Sequence, residues 1–195
     1  MRGRSDPAAA LLLGVLNADA PPRMNVFLVG PMGSGKSAVG RQLAQRLALE
    51  FIDSDTEIEA RTGVDIAYIF EREGEAGFRS REAEVIDAIT RRDQVLVATG
   101  GGAVLDAGTR ERLRTRGRVV YLRTSVDQQL ARTRRSNDRP LLNNPDPRGT
   151  LERLYEQRTP LYTEVAEIVV DTDGRKVKTV VDQICRQLGV DGPRP

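Results

Sequence analysis

Residues 30–37 read GPMGSGKS, which fits G-x-x-x-x-G-K-[ST]. The chemistry of that spacing is the cradling of a polyphosphate. Glycines at 30, 33 and 35 let the backbone curl so that its N–H groups point inward, and Ser34 lies within that turn. Lys36 can reach the β- and γ-phosphates, and the Ser37 hydroxyl can serve as a magnesium ligand. Ala38 stands where many such loops carry a second hydroxyl. The alternative, a glycine-rich turn with a chance lysine, lacks the flanking context: NVFLVG before the loop reads as a buried strand, and Val39, Leu43 and Leu47 after it recur at helical spacing. The motif predicts nucleotide binding and leaves open what is done with the nucleotide.

The segment FIDSDTE follows at 51–57. Read as the end of a strand, it puts Asp53 and Asp55 on the same side, where two like charges repel unless a cation or proton donor intervenes. Arg79 and Glu82 in GEAGFRSRE are three residues apart on one helical face, which by itself predicts a weak surface ion pair. TGGGAV at 99–104 places three glycines after a strand, permitting a ligand to approach backbone N–H groups closely.

The elements that must position these groups alternate. Apolar runs end near 30, 53, 98, 122 and 171, each followed by a helical pattern, and no internal repeat interrupts them. This order predicts an α/β fold in three layers, α/β/α, with a central parallel sheet of about five strands. SNDRPLLNNPDPRG at 136–149 is too rich in Asn, Asp, Pro and Gly for a regular element and reads as a mobile loop. Residues 1–23 carry arginines before a short apolar core, then Pro21-Pro22, and read as a flexible extension with Met24 a natural start. A single domain then runs over 24–190, with a lid at about 132–149 and a flexible tail at 191–195.

Composition narrows the function classes. The chain has 195 residues, enough for one packed domain, and 30 basic against 28 acidic side chains. The net charge of +2 is too small to predict a nucleic-acid or membrane surface. There is no histidine and one cysteine, Cys185, so neither a HExxH zinc site nor an internal disulfide is available. Cys185 falls in a helical pattern as a small apolar group.

Taken in order, GPMGSGKS, DSD at 53–55, GExxFR at 74–79, GGGAV at 100–104, RPLL at 139–142 and QRTPLY at 157–162 resemble the shikimate kinases. The resemblance covers roughly residues 24–189. It implies a P-loop kinase architecture of the nucleoside-monophosphate-kinase type. The implied activity is transfer of the γ-phosphate of ATP to the 3-hydroxyl of shikimate, on the pathway to chorismate and the aromatic amino acids. It also implies Mg2+ as cofactor, a monomer and a cytoplasmic location.

The resemblance assigns roles by position. Asp55 would bind the acceptor hydroxyls and orient the nucleophile, and Asp53 would sit near magnesium with Ser37. Arg79 and Arg158 would grip the shikimate carboxylate, Glu82 would hold Arg79, and the Gly101 backbone would contact a ring hydroxyl. Arg139 would stabilise charge on the transferred phosphoryl group, while Arg132 and Arg175 would line the adenine pocket. A gluconate kinase of similar fold, or a nucleotide-driven regulatory protein, would use the same phosphate loop.

Overall fold

The computed structural model describes residues 24–134, 142 and 144–190. The expectations for residues 1–23, Arg139 and residues 191–195 lie outside these, as does most of the segment 135–143.

Five short strands form one parallel sheet: β1 (Val26–Val29), β2 (Glu50–Asp53), β3 (Val95–Ala98), β4 (Arg118–Arg123) and β5 (Ile168–Asp171). Their spatial order is β2-β3-β1-β4-β5. Parallel neighbours need crossover connections, and helices supply them. These are α1 (Lys36–Leu47), α2 (Ser54–Thr62), α3 (Ile66–Thr90), α4 (Ala107–Arg116), α5 (Val126–Thr133), α6 (Pro147–Val165) and α7 (Val177–Leu188). A 3-10 turn, Ala103–Leu105, precedes α4.

Side chains alternate along each strand, so the sheet feeds two cores. Phe27 and Val29 pack with Ile86 and Ile89 of α3, Leu113 of α4 and Tyr162 of α6. Val26 and Leu28 face the other way, onto Val39 and Leu43 of α1 and Val181 and Ile184 of α7. Fully burying one such side chain contributes roughly 1.5–3 kcal/mol, which is why the central strands β1 and β3 are apolar throughout. The edge strands β2 and β5 keep exposed positions. Cys185 is buried among the apolar residues of the α1–α7 layer.

Two expectations change. Asp53 ends β2 but Asp55 already lies inside α2, so the two carboxylates are not side by side on a strand. The Asp53 carboxylate accepts from the Asp55 N–H at 3.1 Å and thereby starts the helix itself. The stretch 136–149 is not irregular to its end, because α6 begins at Pro147. Proline suits the first helical position, and the Asp146 side chain caps the Gly149 N–H at 2.9 Å. Helix α3 is two helical arms joined at Gly74, whose φ of 69° and ψ of -176° break the regular path between them.

The chain leaves β1 toward β2 and β3 on one side, then crosses to β4 on the other. Ligands of open parallel sheets bind at such a reversal, beyond the carboxyl ends of the strands. A cleft of ≈ 720 Å³ opens there, bounded by the loop after β1, the end of β2 and the turn after β3.

Candidate active site

The loop after β1 forms one wall. Gly30 has φ of 147°, and a Cβ there would lie 2.6 Å from the Leu122 carbonyl oxygen, so the loop hugs β4 where only glycine fits. Helix α1 starts after Gly35, and its first i+4 bond is Val39 N–H to the Gly35 carbonyl at 2.9 Å. The amides of Lys36, Ser37 and Ala38 therefore precede the helical ladder, and all three residues line the cleft with Gly33 and Gly35. Ser34 is buried within the loop. Lys36 Nζ donates to the Gly30 and Pro31 carbonyls, each at 2.8 Å, which holds the ammonium against the loop and beside the cleft.

At the end of β2, Ser37 Oγ donates to Asp53 Oδ2 at 2.6 Å. One Asp53 oxygen thus caps α2 and the other meets the first turn of α1. Asp55, displaced along α2, lines the cleft next to the glycine turn.

The acceptor side is built from buried side chains. Arg79 Nη1 donates to Glu82 Oε2 at 2.6 Å, and Glu82 is only 2% exposed. This is not the surface ion pair that spacing alone suggests. Burial pushes the Glu82 carboxyl above its usual pKa against the pull of Arg79, with the nearby Asp55 charge adding to the rise and Arg158 opposing it. The three glycines after β3 also differ from expectation. A Cβ on Gly100 would lie 2.3 Å from Glu82 Oε1, and one on Gly102 would lie 2.3 Å from the Arg79 guanidinium. Two of the three make room for the protein's own ion pair, and at Gly101 the nearest atom would be an ordinary 3.5 Å away. The turn is tied down by Ser54 Oγ, which accepts the Gly100 N–H at 2.8 Å.

Arg158 reaches the same cleft from α6 and is 4% exposed. Its Nε and Glu82 Oε1 are buried without a hydrogen-bond partner among the described residues. Buried polar atoms are usually paired, so this region is suited to receive a polar ligand. Ile66, Phe70 and Phe78 supply an apolar wall.

Arg132 lines the cleft and bridges two loops, donating to the Gly33 carbonyl at 2.9 Å and the Thr172 carbonyl at 3.0 Å. Arg175 is not among the lining residues; it pairs with Gln183 of α7. Sequence reasoning passed over Ser54 and Tyr162, although both fall within quoted motifs, DSD and QRTPLY.

The shikimate kinase family model matches residues 32–189. The chain belongs to the shikimate kinase family. A shikimate kinase of Shewanella amazonensis is 56% identical over 167 residues, covering 86% of this chain and 98% of the relative. One from Vibrio cholerae is 55% identical over 166 residues, covering 85% and 95%. The structure of shikimate kinase from Acinetobacter baumannii in complex with shikimate superposes with a TM-score of 0.84 at 47% identity, covering 86% of this chain and 93% of that one. A gluconokinase from Sinorhizobium meliloti reaches a TM-score of 0.53 at 17% identity, a likeness of fold alone.

Proposed function

We propose that this protein transfers the γ-phosphate of ATP to the 3-hydroxyl of shikimate, giving shikimate 3-phosphate and ADP. The observation that carries this is one cleft holding both a phosphate loop and two guanidinium groups, Arg79 and Arg158, set against buried carboxylate and glycine backbone. Planar guanidinium groups bind a carboxylate through paired charge-assisted hydrogen bonds. The loop N–H groups and Lys36 bind the polyphosphate, and Arg132 borders the nucleotide. Arg175 and Arg139 complete the proposed nucleotide contacts, Arg139 adding charge at the transferred phosphoryl group.

Ser37 and Asp53 offer two hard oxygen donors in contact at the edge of the phosphate loop, a donor set that suits Mg2+. When bound, the ion would neutralise charge on the β- and γ-phosphates. Asp55 orients the acceptor hydroxyl and takes its proton as the oxygen attacks phosphorus and the bond to ADP breaks. The Gly101 backbone contacts a ring hydroxyl. No described helix is long and apolar enough to cross a membrane. A cytoplasmic, monomeric enzyme completes the proposal.

The test is ADP release with ATP and Mg2+ in the presence of shikimate, of gluconate, and of no acceptor. Release that depends on shikimate, with shikimate 3-phosphate found by mass spectrometry, is the expected result. Equal release with gluconate, or without any acceptor, would overturn it.

A further inference from the structure

The motif QRTPLY contributes more than its arginine. Tyr162 is 1% exposed, yet it carries a hydroxyl into the apolar layer behind the glycine turn. That hydroxyl donates to the Gly101 carbonyl at 2.5 Å. The ring stacks on Tyr121, centroids 5.0 Å apart at 28°, so its orientation is fixed by packing. Burial raises the Tyr162 pKa strongly, which keeps the phenol protonated and a donor throughout the neutral range. The Arg158 guanidinium, one helical turn earlier on α6, stands beside the same glycine, since a Cβ on Gly101 would lie 3.7 Å from Arg158 Nη1, and its charge opposes the rise in the Tyr162 pKa.

Two cleft-lining groups from distant parts of the chain, the Gly101 backbone that the phenol holds and the Arg158 guanidinium beside it, therefore lie next to one tyrosine. The Gly101 carbonyl shares a peptide plane with the Gly102 N–H, and no peptide bond among the described residues is cis. Holding the carbonyl on the core side directs that N–H the opposite way. Neither the Gly101 nor the Gly102 N–H donates to a described residue. A turn of three glycines has little intrinsic preference for one peptide orientation, so an external anchor is needed to set it.

We infer that Tyr162 is a positioning residue for the acceptor: its buried hydroxyl fixes the Gly101–Gly102 peptide and the Arg158 guanidinium relative to each other. It touches neither nucleotide nor acceptor, and it acts through groups that do. The inference rests on the acceptor site proposed above. If wild-type protein fails to phosphorylate shikimate, that reading falls; the comparisons below are made only between active proteins.

Tyr162→Phe keeps the stacked ring and deletes only the hydroxyl. Losing one neutral hydrogen bond predicts a rise in KM for shikimate of roughly threefold to tenfold. The KM for ATP should stay within about twofold, the scatter expected of a site not coupled to the change. Two further measurements separate positioning from general loosening. With shikimate methyl ester as acceptor, which lacks the carboxylate charge, the penalty of Tyr162→Phe should shrink. In an Arg158→Lys background the same substitution should cost less than it does alone, because the guanidinium it orients is gone. An unchanged KM for shikimate in Tyr162→Phe would overturn the inference. So would equal losses toward ATP and shikimate, or a penalty identical for acid and ester and additive with Arg158→Lys.

Discussion

The two halves of the cleft are made differently. The phosphate half comes from eight consecutive residues, 30–37, and consists mainly of backbone held by glycine geometry and the start of α1. The acceptor half draws on α2, the second arm of α3, the turn after β3 and α6, and consists of side chains that pack on one another out of water. A local device can lose a side chain without unfolding, since its shape lies in the main chain. An assembled one cannot, because each member is the solvation of the next. Substitutions should therefore separate the halves by whether activity and stability fall together.

The largest effect is expected in the phosphate half. Lys36→Ala should lower turnover by about 10²–10³-fold or more, the scale for removing one electrostatic contact to a transition state. Its melting temperature should hardly move, because the ammonium bonds the Gly30 and Pro31 carbonyls and the Ser34 hydroxyl of its own loop, beside an open cleft. Turnover near wild type, or a collapse in Tm, would break the comparison at its start.

Arg79→Ala should do both kinds of damage. Charge-assisted hydrogen bonds to the acceptor contribute about 1.5–3 kcal/mol, so KM for shikimate should rise roughly tenfold to a hundredfold. The substitution also strands Glu82, buried and charged, and breaking such a pair costs about 3–5 kcal/mol of stability. Arg158→Ala should weaken shikimate binding to a similar extent. Nucleotide binding without shikimate should change little in either variant, which equilibrium titration with ADP can check. Equal loss of ADP affinity would mean the two halves are one.

This contrast also explains what could be read from the chain. The phosphate loop was legible because its function is encoded in contiguous residue types, and strand and helix patterns on either side fixed its place. The five parallel strands were legible for a similar reason, since buried strands are short apolar runs ended by turn residues. The acceptor half was not derivable from spacing. Arg79 and Glu82 look like any i,i+3 surface pair until α3 is packed against the glycine turn, and only the family resemblance marked them. Asp53 and Asp55 misled for the opposite reason. Alternation along a strand is a sound rule, but it stops where Asp53 turns to cap α2, and a cap competes with strand continuation at that residue.

Glycine substitutions give a finer comparison. Gly30→Ala drives a Cβ to 2.6 Å from a backbone oxygen of β4, which cannot swing aside, at a φ that alanine avoids. It should lose ATP binding and several degrees of Tm together. Gly102→Ala drives its Cβ instead onto the end of the Arg79 side chain at 2.3 Å, and that end can move. The fold should survive while KM for shikimate rises by roughly tenfold, equivalent to about 1.4 kcal/mol. Gly102→Ala with normal shikimate binding would show that Arg79 has slack the acceptor half is argued to lack.

The smallest effect concerns the charge of Glu82 and is read from stability. Its carboxyl is pushed above the usual glutamate range chiefly by burial, so the folded protein holds that proton more tightly than the unfolded chain. A surface carboxylate such as Asp87, whose pKa is lowered by hydrogen bonds from Arg91 and Arg116, contributes stability that disappears as pH falls through its folded value. Glu82 has the opposite sign. Its charged form is a burden above its folded pKa, and the burden is relieved as pH falls toward the ordinary glutamate value of 4.5. Glu82→Gln removes this titration while keeping shape. The difference in Tm, variant minus wild type, should therefore be more positive near neutrality than in mild acid, by no more than about 2–4 °C in a chain of this size. Subtracting the variant cancels the other titrating groups to first order, so the slope belongs to Glu82 and the charges it faces, Arg79, Asp55 and Arg158. A slope of the opposite sign would mean that attraction to the two arginines outweighs burial. The acceptor half would then be held by charge in the way an exposed pair is, and its contrast with the phosphate half would lose its physical basis.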